Sequence, residues 1–497
     1  MICSFANRGE ILQEKILAIV KSINEVLWGP PMMVALVGFG LVSTIYLGFA
    51  QLKRIKLGWN ESFGKIFHKK DSKEGSLSSF QALATSIAAQ VGTGNIGGVA
   101  AAISSGGPGA MFWMWVTALV GMSTIFVEAT LAQKYRKKDK NGQLVGGPAY
   151  YISQGFDNKG MKTFGKGLAK IYAVLIVLAL GFIGNMVQSN SIATSVNTAF
   201  GIPTIAVGVI IAIVSALIFI GGMQRIGKFA ELVVPFMALF YIIGSLVAMF
   251  IFRSHIIPTI SLIFKEAFTF HAVAGGAVGY SIKSAIRYGV ARGLFSNEAG
   301  LGSTPNSHAV ADVSHPVVQG SVAMVGVFID TIIICSATGL VVIATGAYQS
   351  GAQGVMITMN AFSEMFGNYG SKFVASALVF FSLTTVIGWY YFAENNIKYL
   401  FKSDNVDKVF KVMVVVFILS GSVLKVPLVW ELADMFNAAM AIPNIIGLVV
   451  LLNEVKQMNE DYEKQLNLGK IPQYHYVYEQ KYKRANGVNE KVFGKMI

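Results

Sequence analysis

The stretch Val91-Gly92-Thr93-Gly94-Asn95 places two glycines, a hydroxyl and a carboxamide inside an apolar run. Each glycine costs a helix about 1 kcal/mol relative to alanine, and Gly97 and Gly98 follow within one turn. A helix broken here would leave free N–H groups suited to an anion such as a carboxylate. It would also leave carbonyl oxygens, hard ligands that suit a small cation. In lipid, unsatisfied backbone groups cost several kcal/mol each, so a break persists only where protein, solute or ion satisfies it. Gly94 and Gly98 also form a G-x-x-x-G pair, the pattern of a small-residue packing face and the weaker of the two readings.

Ionisable groups inside apolar runs are functional candidates by default. Asp330 lies deepest, in Gly326-Val327-Phe328-Ile329-Asp330-Thr331. It is placed to pair with Lys283 or Arg287 of the preceding run, or to act as a coupling or proton-relay group. Glu128 is expected near a span end, within reach of Lys134 or Arg136, as a gate or anchor. Trp113 and Trp115 read as interfacial anchors. The six histidines show no zinc-like spacing, and Cys3 and Cys335 form no framework.

These residues need membrane helices to position them. Hydrophobic residues make up 54% of the chain and charged residues 13%, with mean hydropathy +0.57. Too few charges remain to coat a soluble surface. Apolar runs of spanning length fall at 31–52, 78–105, 108–133, 169–199, 202–222, 227–252, 273–296, 317–347, 371–400, 411–424 and 427–452. The expectation is an all-α integral membrane protein with about eleven transmembrane helices. The runs at 273–296, with three basic residues, and 411–424, which is short, carry the weakest signals. Ile11 to Leu27 has the pattern of an amphipathic interfacial helix.

The net charge of +14 comes from Lys and Arg in particular loops, as anchoring on an anionic leaflet requires; it is not read as a nucleic-acid surface. Basic loops after the first, third, fifth and ninth spans alternate with loops poor in Lys and Arg. The positive-inside rule then places the N-terminus outside and the tail in the cytoplasm of a plasma-membrane protein. The expected segments are 1–30, extracellular or interfacial; 31–52, a leading helix; 78–252 and 253–452, two five-helix units; and 453–497, a cytoplasmic tail. Five being odd, the second unit enters the membrane inverted. Each unit opens with a glycine-interrupted helix, the second through Gly275, Gly276, Gly279, Gly289 and Gly293. Such a pair points to a transporter site.

Three stretches resemble the alanine or glycine:cation symporters: Gln90 to Ile96, the sixteen residues Gly106 to Gly121, and Arg292 to Ser303. The resemblance implies a leucine-transporter-like 5+5 inverted repeat with one extra N-terminal helix, and Na⁺-driven uptake of alanine or glycine. On that reading the amides of Thr93 and Gly94, with Asn95, receive the substrate carboxylate. The carbonyls of Ala88 and Val91 face Na⁺, completed by Thr384 or Thr385 of the ninth span. Those hydroxyls could instead bond back to their own helix. Gln90 would bind substrate or hold the break open through backbone. Trp389 would floor a pocket or serve in packing. The substrate amine would meet carbonyls near Gly276 to Ser281 or Gly289 to Phe295.

Proton coupling through Asp330 or Glu128 is the competing mechanism. An intramembrane enzyme lacks a convergent nucleophile–base or metal set. A channel lacks an evident filter ring, and no phosphate-binding loop supports ATP-driven transport. Nothing in the sequence calls for an obligatory protein partner.

Overall fold

The computed structural model describes residues 2–64, 75–268, 282–424 and 427–475, with side chains from residue 14 onward. The described residues are mostly helical. Helix α1 (Ile2–Leu27) leads into α2 (Pro30–Tyr46) and α3 (Ala50–Phe63). The expected 31–52 span therefore stops at Tyr46. Gly48 and Phe49 take left-handed backbone, φ 64° and 59°, and turn the chain into α3.

A capping box starts α4 (Ser79–Gln90): Ser78 Oγ accepts the Gln81 N–H, and Gln81 Oε1 accepts the Ser78 N–H. After an interruption the chain resumes as a π-helical turn, Gly94–Gly98, and α5 (Val99–Gly106). Next come α6 (Gly109–Lys134), a short hairpin of β1 (Lys137–Lys138) and β2 (Leu144–Val145), and α7 (Pro148–Asn158). A long rod follows, α8 (Lys162–Ile176) and α9 (Asn185–Phe200) joined by the π-helical segment Val177–Gly184. Then come α10 (Thr204–Phe219), α11 (Gly222–Ile251) and α12 (Ile256–Phe268).

From residue 282 the chain continues as α13 (Ile282–Asn297) and the single turn α14 (Pro305–His308). Helices α15 (Pro316–Val327) and α16 (Ser336–Ala344) flank the π-helical segment Phe328–Cys335. The chain ends through α17 (Val355–Phe366), α18 (Asn368–Leu400), α19 (Asp404–Val423) and α20 (Pro427–Asn467).

Among the described residues, seven helices are long and apolar enough to cross a membrane. The remaining expected spans fall short for visible reasons. The α4–α5 segment is interrupted, and α10 has only 16 residues. Helix α13 carries Lys283, Arg287 and Arg292. Helix α19, expected only from 411, is a full 20 residues; Asp404, Asp407 and Lys408 in its first turns masked its length.

The bundle is apolar outside. Along α11, Leu232, Phe236, Leu239, Ile243, Leu246 and Phe250 are exposed, while Tyr241 and Ser245 are buried. The i, i+3/i+4 spacing makes one continuous stripe. Such a stripe faces hydrocarbon, because soluble monomers rarely expose contiguous apolar patches beyond a few hundred Å². At one end of the bundle the basic loops meet the polar end of α20. Arg54 pairs with Glu463 at 2.8 Å and Lys134 with Glu454 at 2.8 Å, while Lys140 reaches Asp404 at the start of α19, at 2.6 Å.

Gly289 and Gly293, expected to unwind the second broken helix, lie inside α13. A Cβ on Gly289 would stand 2.4 Å from the Ala110 carbonyl oxygen, and one on Gly293 2.3 Å from Thr117 Oγ1. These glycines let α13 lie directly on α6. The second interruption comes later, between Asn297 and Pro305, where Glu298, Gly300 and Gly302 have φ of 57°, 90° and 82°.

Candidate functional site

The first break begins where Val91 turns extended, φ −85° and ψ 97°. Gly92 and Thr93 leave the helical ladder. The Gly92 N–H donates to Asn95 Oδ1 at 2.9 Å and the Thr93 N–H to Gln188 Oε1 at 3.3 Å. The Ala88 carbonyl thereby loses its helical donor, the Gly92 N–H. Thr385 of α18 reaches across, its hydroxyl 3.0 Å from the Val91 carbonyl and 2.9 Å from its own Phe381 carbonyl. Glycine is required at 92 because a Cβ there would lie 2.5 Å from Thr385 Oγ1 and 3.1 Å from Gln188 Oε1.

Of the residues singled out in the sequence, Ala88, Val91, Thr93, Gly94, Asn95 and Thr385 gather around this break. Thr384 does not join them; its hydroxyl bonds to the Phe381 carbonyl at 2.8 Å and to Met237 Sδ at 3.4 Å. Thr93 Oγ1 is buried without a hydrogen-bond partner. Gly94 faces Phe295, whose ring would lie 3.6 Å from a Cβ at 94. Gly276 lies outside the described residues.

Asn95 makes bonds within the protein. Besides accepting from Gly92, its Nδ2 donates to Asp330 Oδ1 at 2.5 Å. Asp330 Oδ2 accepts from Ser296 Oγ at 3.0 Å and Thr331 Oγ1 at 2.8 Å. Asp330 is therefore not paired with Lys283 or Arg287. Its carboxylate fastens the first break to α13 and to the π-helical segment after α15.

The second break is tied to the first. Gln90 Nε2 donates to the Asn297 carbonyl at 2.6 Å, which is the backbone-bonding alternative, made to the other broken helix. Trp389 Nε1 donates to Glu298 Oε1 at 2.7 Å, and its ring would lie 2.7 Å from a Cβ at Gly184. Trp389 thus spans from the π-helical segment of the α8–α9 rod to the second break. Glu128 is not held by Lys134 or Arg136. It accepts the Gly300 N–H at 3.2 Å and Asn444 Nδ2 at 2.6 Å, so it caps the second break from α6. Trp113 and Trp115 donate to the Ala267 carbonyl (3.2 Å) and Ser336 Oγ (2.8 Å), tying helices together.

Sequence reasoning missed Gln188, Ser296, Glu298 and Asn444. The signal for Gln188 was the polar run Asn185, Gln188, Ser189 and Asn190 inside an otherwise apolar span. The oxygens at the first break suit an alkali cation: neutral carbonyls and a hydroxyl, with no cluster of His, Cys, Asp or Glu among the described residues. The arrangement offers backbone donors, carbonyl acceptors and a hydroxyl side by side inside a helical bundle, as a carrier of a small charged solute requires.

Helices with apolar outer faces around two paired interruptions define a membrane transporter. The chain belongs to the sodium:alanine symporter family, whose model matches residues 13–476. It is 42% identical to the sodium/alanine symporter AgcS of Methanococcus maripaludis, over 89% of this chain and 97% of that protein. It is 39% identical to the probable sodium/glutamine symporter GlnT of Bacillus subtilis, over 96% of each. It is also 40% identical to the putative sodium/proton-dependent alanine carrier protein YrbD of Bacillus subtilis, over 91% of this chain and 94% of that one.

Proposed function

We propose that the chain is a secondary active transporter that carries alanine or glycine into the cell together with Na⁺ by alternating access. The observation that carries this reading is the contact between Thr385 Oγ1 and the Val91 carbonyl. It brings a hard oxygen from a distant helix to the carbonyl side of the break. Na⁺ would be held there by the Ala88 and Val91 carbonyls and the Thr385 hydroxyl. The substrate carboxylate would be received at Gly94 and the unpartnered Thr93 hydroxyl, beside Gln188. Holding both charges at one break makes binding of each favour the other, which is thermodynamic coupling in a symporter.

On this reading the segments α4 to α11 and α12 to α20 are the two inverted five-helix units of a leucine-transporter-like fold, with α2 as the extra helix. The basic end of the bundle faces the cytoplasm across the plasma membrane.

A second reading, proton coupling, is favoured by the buried carboxylate of Asp330 bonded to Asn95 and by the description of the YrbD relative as a putative sodium/proton-dependent carrier. Uptake of labelled alanine, glycine and glutamine into proteoliposomes separates the two. Uptake against a gradient that requires Na⁺ and is indifferent to an imposed pH gradient supports Na⁺ symport. Uptake in Na⁺-free medium driven by a pH gradient overturns it.

A further inference from the structure

Helices α1, α13 and α20 enclose a cleft of about 240 Å³. This is smaller than the roughly 300–1,000 Å³ of sites for drug-sized ligands and suits a molecule of a few heavy atoms. Helix α1 forms one wall. Asn24 Nδ2 donates to the backbone carbonyl and the carboxylate of Glu431, at 2.8 and 2.7 Å, and Trp28 Nε1 to the Asp434 carbonyl at 3.0 Å. Opposite, Arg292 holds the Asp434 carboxylate through two bonds of 3.1 and 3.3 Å.

Lys21 and Glu25 of α1 also line the cleft, and within it Asn24 and Arg287 make opposite demands. Asn24 is 8% exposed, and its Oδ1 has no hydrogen-bond partner. A buried unpaired acceptor costs about 1–3 kcal/mol, so a donor is wanted there, next to the Glu431 carboxylate. Arg287 also lines the cleft and rests against the Tyr288 ring, 5.6 Å from its centroid. Among the described residues no carboxylate pairs with it. An ammonium on Asn24 Oδ1 and Glu431, with a carboxylate on Arg287, would satisfy both. Phe295 lines the cleft and also faces Gly94 of the first break. One aromatic ring therefore separates the two places.

We infer that this cleft is a second binding site for a free zwitterionic amino acid, which stages the substrate beside Phe295 before it enters the first break. The inference rests on the transport reading above. Its ligand is the same chemical class, held by side chains instead of by freed backbone.

The test is equilibrium binding of radiolabelled alanine to the purified full-length protein in NaCl, paired with proteoliposome uptake. Two molecules per chain are expected for the wild type and one for Arg287→Ala, whose uptake should need roughly tenfold more alanine at an unchanged maximal rate. Arg287→Lys should recover part of the second binding event. Arg287 is exposed, so the substitution leaves the packed bundle intact. One molecule per chain in the wild type, lost in Asn95→Ala, would overturn the cleft site and leave the transport reading standing. Two molecules in both wild type and Arg287→Ala would overturn the assignment to this cleft. No binding by folded wild-type protein would overturn both readings.

Discussion

Gln90, the last residue of α4, donates its side-chain amide to the carbonyl of Asn297, the last residue of α13, at 2.6 Å. The two interrupted helices thus end against each other, and an orphan carbonyl at one break is satisfied by a side chain from the other. Asn95 and Ser296 repeat the link one step further on, both bonded to Asp330.

Removing that cap should cost stability and transport together. Gln90→Leu leaves the Asn297 carbonyl buried and unpaired, a loss of about 1–3 kcal/mol. Thermal unfolding of the purified protein should shift down, and alanine uptake should fall at equal membrane abundance. Gln90→Glu should do worse, because it sets a carboxylate against a carbonyl.

Thr385→Ala should raise the Na⁺ concentration for half-maximal uptake by roughly tenfold, the equivalent of about 1.4 kcal/mol. Thr385→Ser should restore most of it. Thr384→Ala should leave Na⁺ dependence unchanged, since that hydroxyl faces Met237. A Thr385→Ala protein with wild-type Na⁺ dependence would move the ion elsewhere.

The two glycines of the first break should respond differently. A methyl at Gly92 would meet Thr385 Oγ1 at 2.5 Å, whereas one at Gly94 would meet nothing closer than 3.6 Å. Gly92→Ala should therefore abolish uptake while Gly94→Ala keeps a measurable rate. Gly94→Val, which adds bulk where the carboxylate would sit, should abolish it. Asn95→Ala should reach the membrane and carry nothing.

Acid should loosen the far end of α20. His315, before the first residue of α15, is buried. Its Nδ1 accepts the Val317 N–H at 3.2 Å, and its Nε2 meets Asp461 at 3.2 Å. Tyr462 and Tyr474 flank the ring. Burial holds the imidazole below its ordinary 6.5, with Arg54 adding to the effect and Asp461 opposing it. A depressed histidine contributes stability that is present above about 6.5 and lost as pH falls from there through the folded value. Amide protection of residues 459–467, measured against the intrinsic exchange rate at each pH, should fall below pH 6.5, and His315→Gln should flatten that dependence.

Much of this was legible in the residues, for identifiable reasons. The first break announced itself because Gly92, Gly94 and Asn95 cannot share an apolar helix cheaply, and the structure interrupts the chain there. For the second, the stretch Gly289 to Phe295 is helical, while Gly275, Gly276, Gly279 and the chain up to Ser281 lie outside the described residues. Gly289 and Gly293 carry the same signal as Gly92, yet they serve close packing on α6, and a sequence does not say whether a glycine yields to a neighbour or to a break. The unwinding at Glu298 to Thr304 lies in the stretch that resembled the family's second-half motif, but its backbone angles are not written in residue type. Asp330 and Arg287 attract on paper. Helical phase turns Asp330 toward Asn95, and Arg287 lines the cleft beside α1. Gln188 went unnoticed because the apolar average of its span hides the carboxamides of Asn185, Gln188 and Asn190.

The glycine seam between α13 and α6 carries a mechanical consequence. With Gly289 against the Ala110 carbonyl and Gly293 against Thr117, neither helix can creep along the other, because the next residue in line brings a side chain into a slot sized for hydrogen. The pair must travel as a single strut. On the transport reading, rocking of the bundle would pivot where that strut stops, at the unwound residues after Asn297.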